Sequence, residues 1–535
     1  MSIIFSKRKT VKTISLQILL SASCLYSIQS SAALKTDSDK NPASTIFNQS
    51  TSPSYYSSDS KIFFDTETYT ADLEKQDAIK SLLKSGITLF RKGEKAKGIN
   101  DLKKAWTLAP NMASTGVTLA MYYIKNKQYT LALEIAKKQR LTFPTKPYSA
   151  NIEGFAYQGL KDTTKSVAAF TQALKLNPGD STASLTLATN ALKENNIKQA
   201  RKLYIDTLSY HPNDMRALLL LSRVDSALGD TKETETLVKN AINTAPDTTQ
   251  FHYGFAKIYQ VLKKYPQAIE EINKALKLEP DNAANQFLLA KLLISNNQLN
   301  ESRAILSKLA LAYPKNPAPR ELEGRIALAQ NQPEEAIKLF QQALSIKEST
   351  SVIMHLATAQ ILSGEKQLGL NILRQQVKKE PKKILLRKLF AEHLSKQNKE
   401  KEAIQNYEEL VRQQPSNALI MNNLAWLLGK QGNIDKALHH IKNADTITPS
   451  NPSIMDTYGT ILMKKGEFAQ SEKMLNKALE KSPSDLGIQF HLSQVLVKTK
   501  KIKAAKTILN QLLSQNIPFP EQQEAKKLLE KLQSH

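Results

Sequence analysis

Apolar residues recur at helical spacing through residues 147–180, in two blocks. The first half, PYSANIEGFAYQGLK, reads as one amphipathic helix and the second half, TTKSVAAFTQALKL, as another. Asp162 and Thr163 supply the turn between them. Pro178, Gly179 and Asp180 end the second helix, because proline cannot continue it and glycine takes the turn geometry. In this unit of 34 residues Gly154 stands at position 8, Tyr157 at 11, Ser166 at 20, Phe170 at 24, Ala173 at 27 and Pro178 at 32.

The same pattern repeats along most of the chain. Pro110, Pro144, Pro178, Pro212, Pro246, Pro280 and Pro314 are each 34 residues apart, and Pro381, Pro415, Pro449 and Pro483 keep the same step. One residue is missing between the two runs, near Glu348 to Ser351, and the last unit ends one residue late, at Pro518. Setting each proline at position 32 gives thirteen units, starting near residues 79, 113, 147, 181, 215, 249, 283, 317, 350, 384, 418, 452 and 486. Position 8 is Gly, Ala or Ser in every unit, and position 20 is equally small except for Thr234. A bulky side chain at either point would hold the two helices of a pair apart. Units 5 and 9 fit least well, with Asp225 and Gln360 at position 11, where a large residue is usual.

Period, small residues at 8 and 20, and Tyr, Phe, Ala and Pro at 11, 24, 27 and 32 resemble the tetratricopeptide repeat (TPR). The resemblance implies an all-α, superhelical solenoid of about thirteen helix pairs over residues 71–519. A final helix opened by Pro520, with Ala525, Leu528, Leu529 and Leu532 on one face, is expected to cap the stack over residues 520–535.

The ends of the chain carry other signals. Residues 1–33 read as an export signal: Lys7, Arg8, Lys9 and Lys12, then the apolar stretch Ile14 to Ile28, then Ser30-Ser31-Ala32-Ala33. The lone cysteine, Cys24, allows no internal disulfide, and Ser21-Ala22-Ser23-Cys24 resembles a bacterial lipobox, which would make the protein lipid-anchored. Residues 34–70 are rich in Ser, Thr, Asp and Asn without helical period and read as a disordered spacer.

Charge and chemistry point to binding rather than catalysis. The formal charge of +25 favours anionic partners and also keeps an extended chain soluble. No metalloprotease, hydrolase-elbow, P-loop or dinucleotide motif is present, so no catalytic residue, cofactor or metal site is assigned. The adjacent His439 and His440 point about 100° apart on a helix and do not share a metal naturally.

In the TPR family the first helix of each repeat lines a groove through positions 2, 5, 9 and 12. Position 9 here reads Arg223, Lys257, Lys291 and Arg325 in units 5 to 8, with Arg216 at position 2 of unit 5 and Tyr253 and Phe287 at position 5 of units 6 and 7. Such a ladder suits an acidic peptide or an anionic polysaccharide, and equally a solvated basic face. Glu321 interrupts it. Trp426 at position 9 of unit 11, Asn422 one turn before it, and Phe490 at position 5 of unit 13 form a second groove candidate for a peptide or sugar ring, or else pack between repeats. The family's carboxylate clamp of Lys and Asn is not found.

The stretch MNNLAWLL and, a repeat later, NPSIMDTYGTILMKKGEFAQSEKMLNKALEKSP resemble C-terminal repeats of exported bacterial TPR proteins of exosortase and exopolysaccharide systems. These readings together anticipate a periplasmic, non-enzymatic scaffold for other envelope proteins. The alternative is a periplasmic binding protein for an anionic polysaccharide. No nucleic acid is expected as a partner, and membrane contact only if Cys24 is lipidated.

Overall fold

The computed structural model describes residues 73–515 and 517–534. The anticipated signal, the spacer and Cys24 lie outside them. Thirteen antiparallel helix pairs, called A and B within each repeat, are followed by one last helix, Gln522–Gln533. The fold is an all-α solenoid of helix pairs. Contacts divide the chain into two units, one ending at Ser302 and one starting at Arg303, inside the B helix of repeat 7 (Leu299–Ala312).

The small columns hold because of what sits opposite them. A Cβ on Gly154 would lie 2.6 Å from the Phe170 ring, and one on Gly324 equally close to Phe340. Gly459 and Leu475 repeat the relation at 2.5 Å. Position 8 is therefore the seat of position 24, whose burial stabilises a pair by roughly 1.5–3 kcal/mol where that residue is large and apolar, as Phe170, Phe340 and Leu475 are. Serine at position 20 adds a bond. Ser166 Oγ donates to the Gly154 carbonyl at 2.8 Å, Ser302 to Ala290 at 2.8 Å and Ser471 to Gly459 at 2.7 Å. The hydroxyl ties the B helix to the position 8 backbone of its own A helix.

The turn between A and B differs from expectation. In repeat 3 it centres on Lys161, which has a φ of 64°, while Asp162 is the N-cap of the next helix and accepts from Lys165 N. The left-handed residue recurs at position 15 of every repeat: glycine at 93, 229, 364, 432 and 466, asparagine at 195, 297, 331 and 398, and lysine at 127, 161, 263 and 500. Glycine and asparagine tolerate this conformation best. At the other junction Gly179 is not left-handed, and helix B ends at Leu176, before Pro178. Asp180 caps the following A helix through Ala183 N at 2.8 Å. Asp214, Asn282, Asn417, Asn451 and Asp485 do the same at position 34 of later repeats.

Repeat 5 departs from the pattern twice, and the departures answer each other. Asp225 is fully buried. It accepts from Arg201 Nε at 2.7 Å, Arg201 Nη2 at 3.2 Å and Thr234 Oγ1 at 2.7 Å. Arg201 belongs to the B helix of repeat 4 (Ile197–Tyr210), so a charge-assisted bond to a buried carboxylate joins neighbouring repeats. In repeat 9, Gln360 is buried and its Oε1 has no partner among the described residues.

The core is a series of clusters rather than one centre, as stacking of near-identical units requires. Up to Ser302, one cluster is centred on Leu102, Leu119 and Ile152 and another on Tyr204, Leu221 and Phe255. Beyond it, Phe340 anchors one cluster, and Phe390 and Leu424 belong to the next. The last helix closes the array with Ala525 and Leu532 buried against Phe490, Val495 and Leu509. It starts at Gln522, two residues beyond the expected Pro520, with Glu521 in the N-cap position but making no cap bond.

Candidate functional site

Two stretches of A helices carry the side chains singled out above, one in each unit. The first comprises repeats 5 (Met215–Leu228), 6 (Thr249–Val261) and 7 (Ala283–Ser295). Position 9 places Arg223 and Lys257 half-buried and Lys291 exposed. They are close enough to feel one another: the Lys257 ammonium is held below the usual lysine range by burial first, then by the charges of Lys291 and Arg223. Lys257 Nζ donates to Gln260 Oε1 at 3.1 Å. Arg216 is exposed and faces Asp214 at 3.5 Å. Phe287 is half-buried, and Tyr253 turns part of its ring to the core.

Arg325, the fourth rung of the expected ladder, lies in the unit beginning at Arg303. There it neighbours His355, whose imidazole is pushed down to about 3 by burial and by the Arg325 charge. Glu321, on the same A helix (Ala318–Ala329), lies 4.0 Å from His355.

The second stretch is a cleft of about 530 Å3 among repeats 11 (Ala418–Lys430), 12 (Pro452–Lys465) and 13 (Leu486–Lys498). Asn422 and Trp426 both line it, and Trp426 is 38% exposed. Phe490 does not. At 2% exposure it packs in the core, its ring 6.5 Å from that of Phe519. Position 5 of the last repeat faces the closing segment rather than open groove, which corrects its assignment as a groove residue.

Three acidic residues absent from the sequence-based candidates line the same cleft: Asp456, Asp485 and Glu521. His491 Nδ1 lies 2.8 Å from Asp456 Oδ1, and its ring is 6.1 Å from the Trp426 ring, tilted by 46°. Burial works to lower the His491 pKa, but the Asp456 hydrogen bond and the charges of Asp456, Glu521 and Asp485 outweigh it, so the imidazole sits above its ordinary value. Asp485 Oδ1 is occupied capping the repeat 13 A helix through Gly487 N at 2.9 Å and Ile488 N at 3.2 Å. Pro518, Phe519 and Pro520 form one wall. These residues come from three repeats and the segment before the last helix, so no local motif announces them. The nearest signal is acidic positions 5 and 34 beside an exposed tryptophan.

Among the described residues no group of three His, Cys, Asp or Glu is arranged to hold a metal ion, and no helix is long and apolar enough to cross a membrane.

Models of the tetratricopeptide repeat match residues 159–224, 262–326 and 462–532, and two further such models match 406–439 and 322–350. The chain contains tetratricopeptide repeats. Over 154 residues it is 28% identical to cellulose synthase operon protein C of Pseudomonas fluorescens (strain SBW25), covering 27% of this chain and 12% of that protein. Over 184 residues it is 28% identical to general transcription factor 3C polypeptide 3 of Homo sapiens, covering 33% and 20%. The chain thus spans at most 20% of the length of these relatives. Among solved structures it is similar to a chain of the APC/C hetero-tetramer Cut9-Hcn1, with a TM-score of 0.37 and 14% identity over 85% of this chain and 96% of that one.

Proposed function

We propose that this protein is an exported scaffold of the bacterial cell envelope, where its repeats hold partner proteins during assembly or secretion of an exopolysaccharide or a surface protein. Repeat arrays of this kind serve protein–protein interaction, and the reading assigns no reaction to the chain. The observation that carries it is the approach of Arg223, Lys257 and Lys291 on three successive A helices. A row of cations held against their mutual repulsion favours an acidic segment laid across the repeats. The likeness to a protein named for a cellulose synthase operon supports the exopolysaccharide setting. The basic, apolar and small-residue order of residues 1–33 supports export to the periplasm.

The test has two arms. Residues 1–40 fused to an alkaline phosphatase that is active only after export give phosphatase activity if the leader works. Pull-downs from envelope extract with the full chain and with Lys257→Glu/Lys291→Glu report the interaction. Salt-sensitive capture that the double variant loses is the expected result, and unchanged capture overturns the role of the cations. Retention on an acidic polysaccharide, but not on a neutral one, with no protein captured, would favour the polysaccharide-binding alternative.

A further inference from the structure

The cleft at the C-terminal end has the opposite character from the cationic row. Its lining offers acceptors: the carboxylates of Asp456, Asp485 and Glu521, and the amide of Asn422. Asn422 is 7% exposed, and its Oδ1 has no hydrogen-bond partner among the described residues. A buried acceptor without a donor is unfavourable. Among the described residues neither Asp485 nor Glu521 forms an ion pair, although the chain as a whole is strongly basic. Only Asp456 is matched, by His491.

Each neighbouring ligand class fails on one of these features. An anionic segment meets three carboxylates. A bare metal ion finds no convergent set of three ligands. A neutral sugar ring satisfies the Trp426 face and its hydroxyls can donate to the carboxylates, but it leaves their charge unbalanced. A guanidinium or ammonium group supplies donors and opposite charge to the carboxylates, and a cation next to tryptophan is attracted further by the face of the ring. The cleft volume, about 530 Å3, falls in the range of roughly 300–1,000 Å3 common for ligand sites and holds a long basic side chain with part of its backbone.

The geometry points to a second binding site here, one that takes an arginine or lysine side chain of a partner's extended segment among Asp456, Asp485 and Glu521 and against Trp426. This inference deepens the scaffold reading by naming the partner chemistry of a different surface, and its test needs neither export nor the natural partner.

Trp106→Phe in the full chain leaves Trp426 as the sole tryptophan and so as the reporter. Its fluorescence is followed while adding end-capped Gly-Gly-Arg-Gly-Gly, the same peptide with Lys, Gln or Glu at the centre, and cellohexaose. The Arg and Lys peptides are expected to give a saturable change that salt weakens. Glu521→Gln should weaken Arg binding about fivefold, and Asp485→Asn/Glu521→Gln about twentyfold, as expected for successive loss of charges facing a cation. Asparagine keeps the cap at Asp485, so the double variant retains the repeat 13 helix, which circular dichroism verifies. Equal binding of the Gln and Arg peptides, an affinity for Arg indifferent to both variants, or binding of cellohexaose without the Arg peptide would each overturn the site. Failure of the envelope pull-down alone would leave it standing.

Discussion

The A helices of repeats 5 to 7 and those of repeats 11 to 13 use the same repeat positions to opposite effect. Position 9 carries Arg223, Lys257 and Lys291 in the first set and Trp426 at the start of the second. Position 5 carries Tyr253 and Phe287 in the first, and Asn422 and Asp456 in the second. Backbone geometry is common to both, because the small residues at 8 and 20 and the left-handed residue at 15 fix each pair alike. The sign of the surface is set by a few side chains the repeat does not need for packing. The two sets also treat their charge differently. Lys257 holds its proton less firmly because it is buried and, next, because Lys291 and Arg223 lie near it. Of the three acids, Asp456 is matched by His491.

The comparison breaks most completely if repeat 5 cannot hold its place. Asp225→Ala would leave Arg201 and Thr234 without the carboxylate they share. Arg201 is partly exposed and keeps Glu233 at 2.6 Å, so the loss is that of charge-assisted hydrogen bonds, about 1.5–3 kcal/mol, rather than of a fully buried pair. Chemical denaturation of the full chain should show the loss as an early transition, because destabilising one repeat weakens its neighbours first. An unchanged denaturation profile would mean that the Arg201–Asp225 bond contributes nothing net.

Next in size is the charge reversal Lys257→Glu/Lys291→Glu. Retention of a poly-glutamate peptide should fall by about a factor of 10 or more, while the basic peptide at the cleft binds as before. Loss of both would show that the two surfaces are not independent. A smaller effect separates packing from hydrogen bonding. Ser471→Ala keeps position 20 small but removes the bond to the Gly459 carbonyl, and should cost about 1 kcal/mol in denaturation. No change would reduce position 20 to sterics alone.

The scaffold was far more legible in the sequence than the surfaces it carries. The proline ladder and the two small columns report a requirement repeated in every unit, so each repeat tests the others. The left-handed column at position 15 was equally available: glycine and asparagine dominate it because most side chains strain there. Repeat 5 was hidden for the opposite reason. Asp225 looked like a flaw at position 11, since its partner Arg201 lies one repeat back. Phe490 was misplaced because position 5 means open groove only where another repeat follows, and here Phe519 follows instead. The acids of the cleft are brought together by stacking, and nothing local in the chain joins Asp456 to Glu521.

The smallest effect bears on how the cleft manages its acids. His491 faces Asp456 directly, with Asp485, Glu521 and the Trp426 ring lining the same space. Burial alone would expel its proton. The Asp456 bond and the three carboxylates keep the proton on, so the folded protein binds it more tightly than the unfolded chain does. Stability from this group is then fully present below the ordinary imidazole value of about 6.5 and is lost as pH rises through the raised folded value. His252, held the same way by Glu271 and Asp247, slopes in the same direction, so the wild-type pH profile contains both. Asp456→Asn keeps the shape but removes the charge opposite His491. Denaturation midpoints across that pH window should therefore fall less steeply in the variant than in the wild type. Identical slopes would mean that Asp456 does not hold the proton on His491.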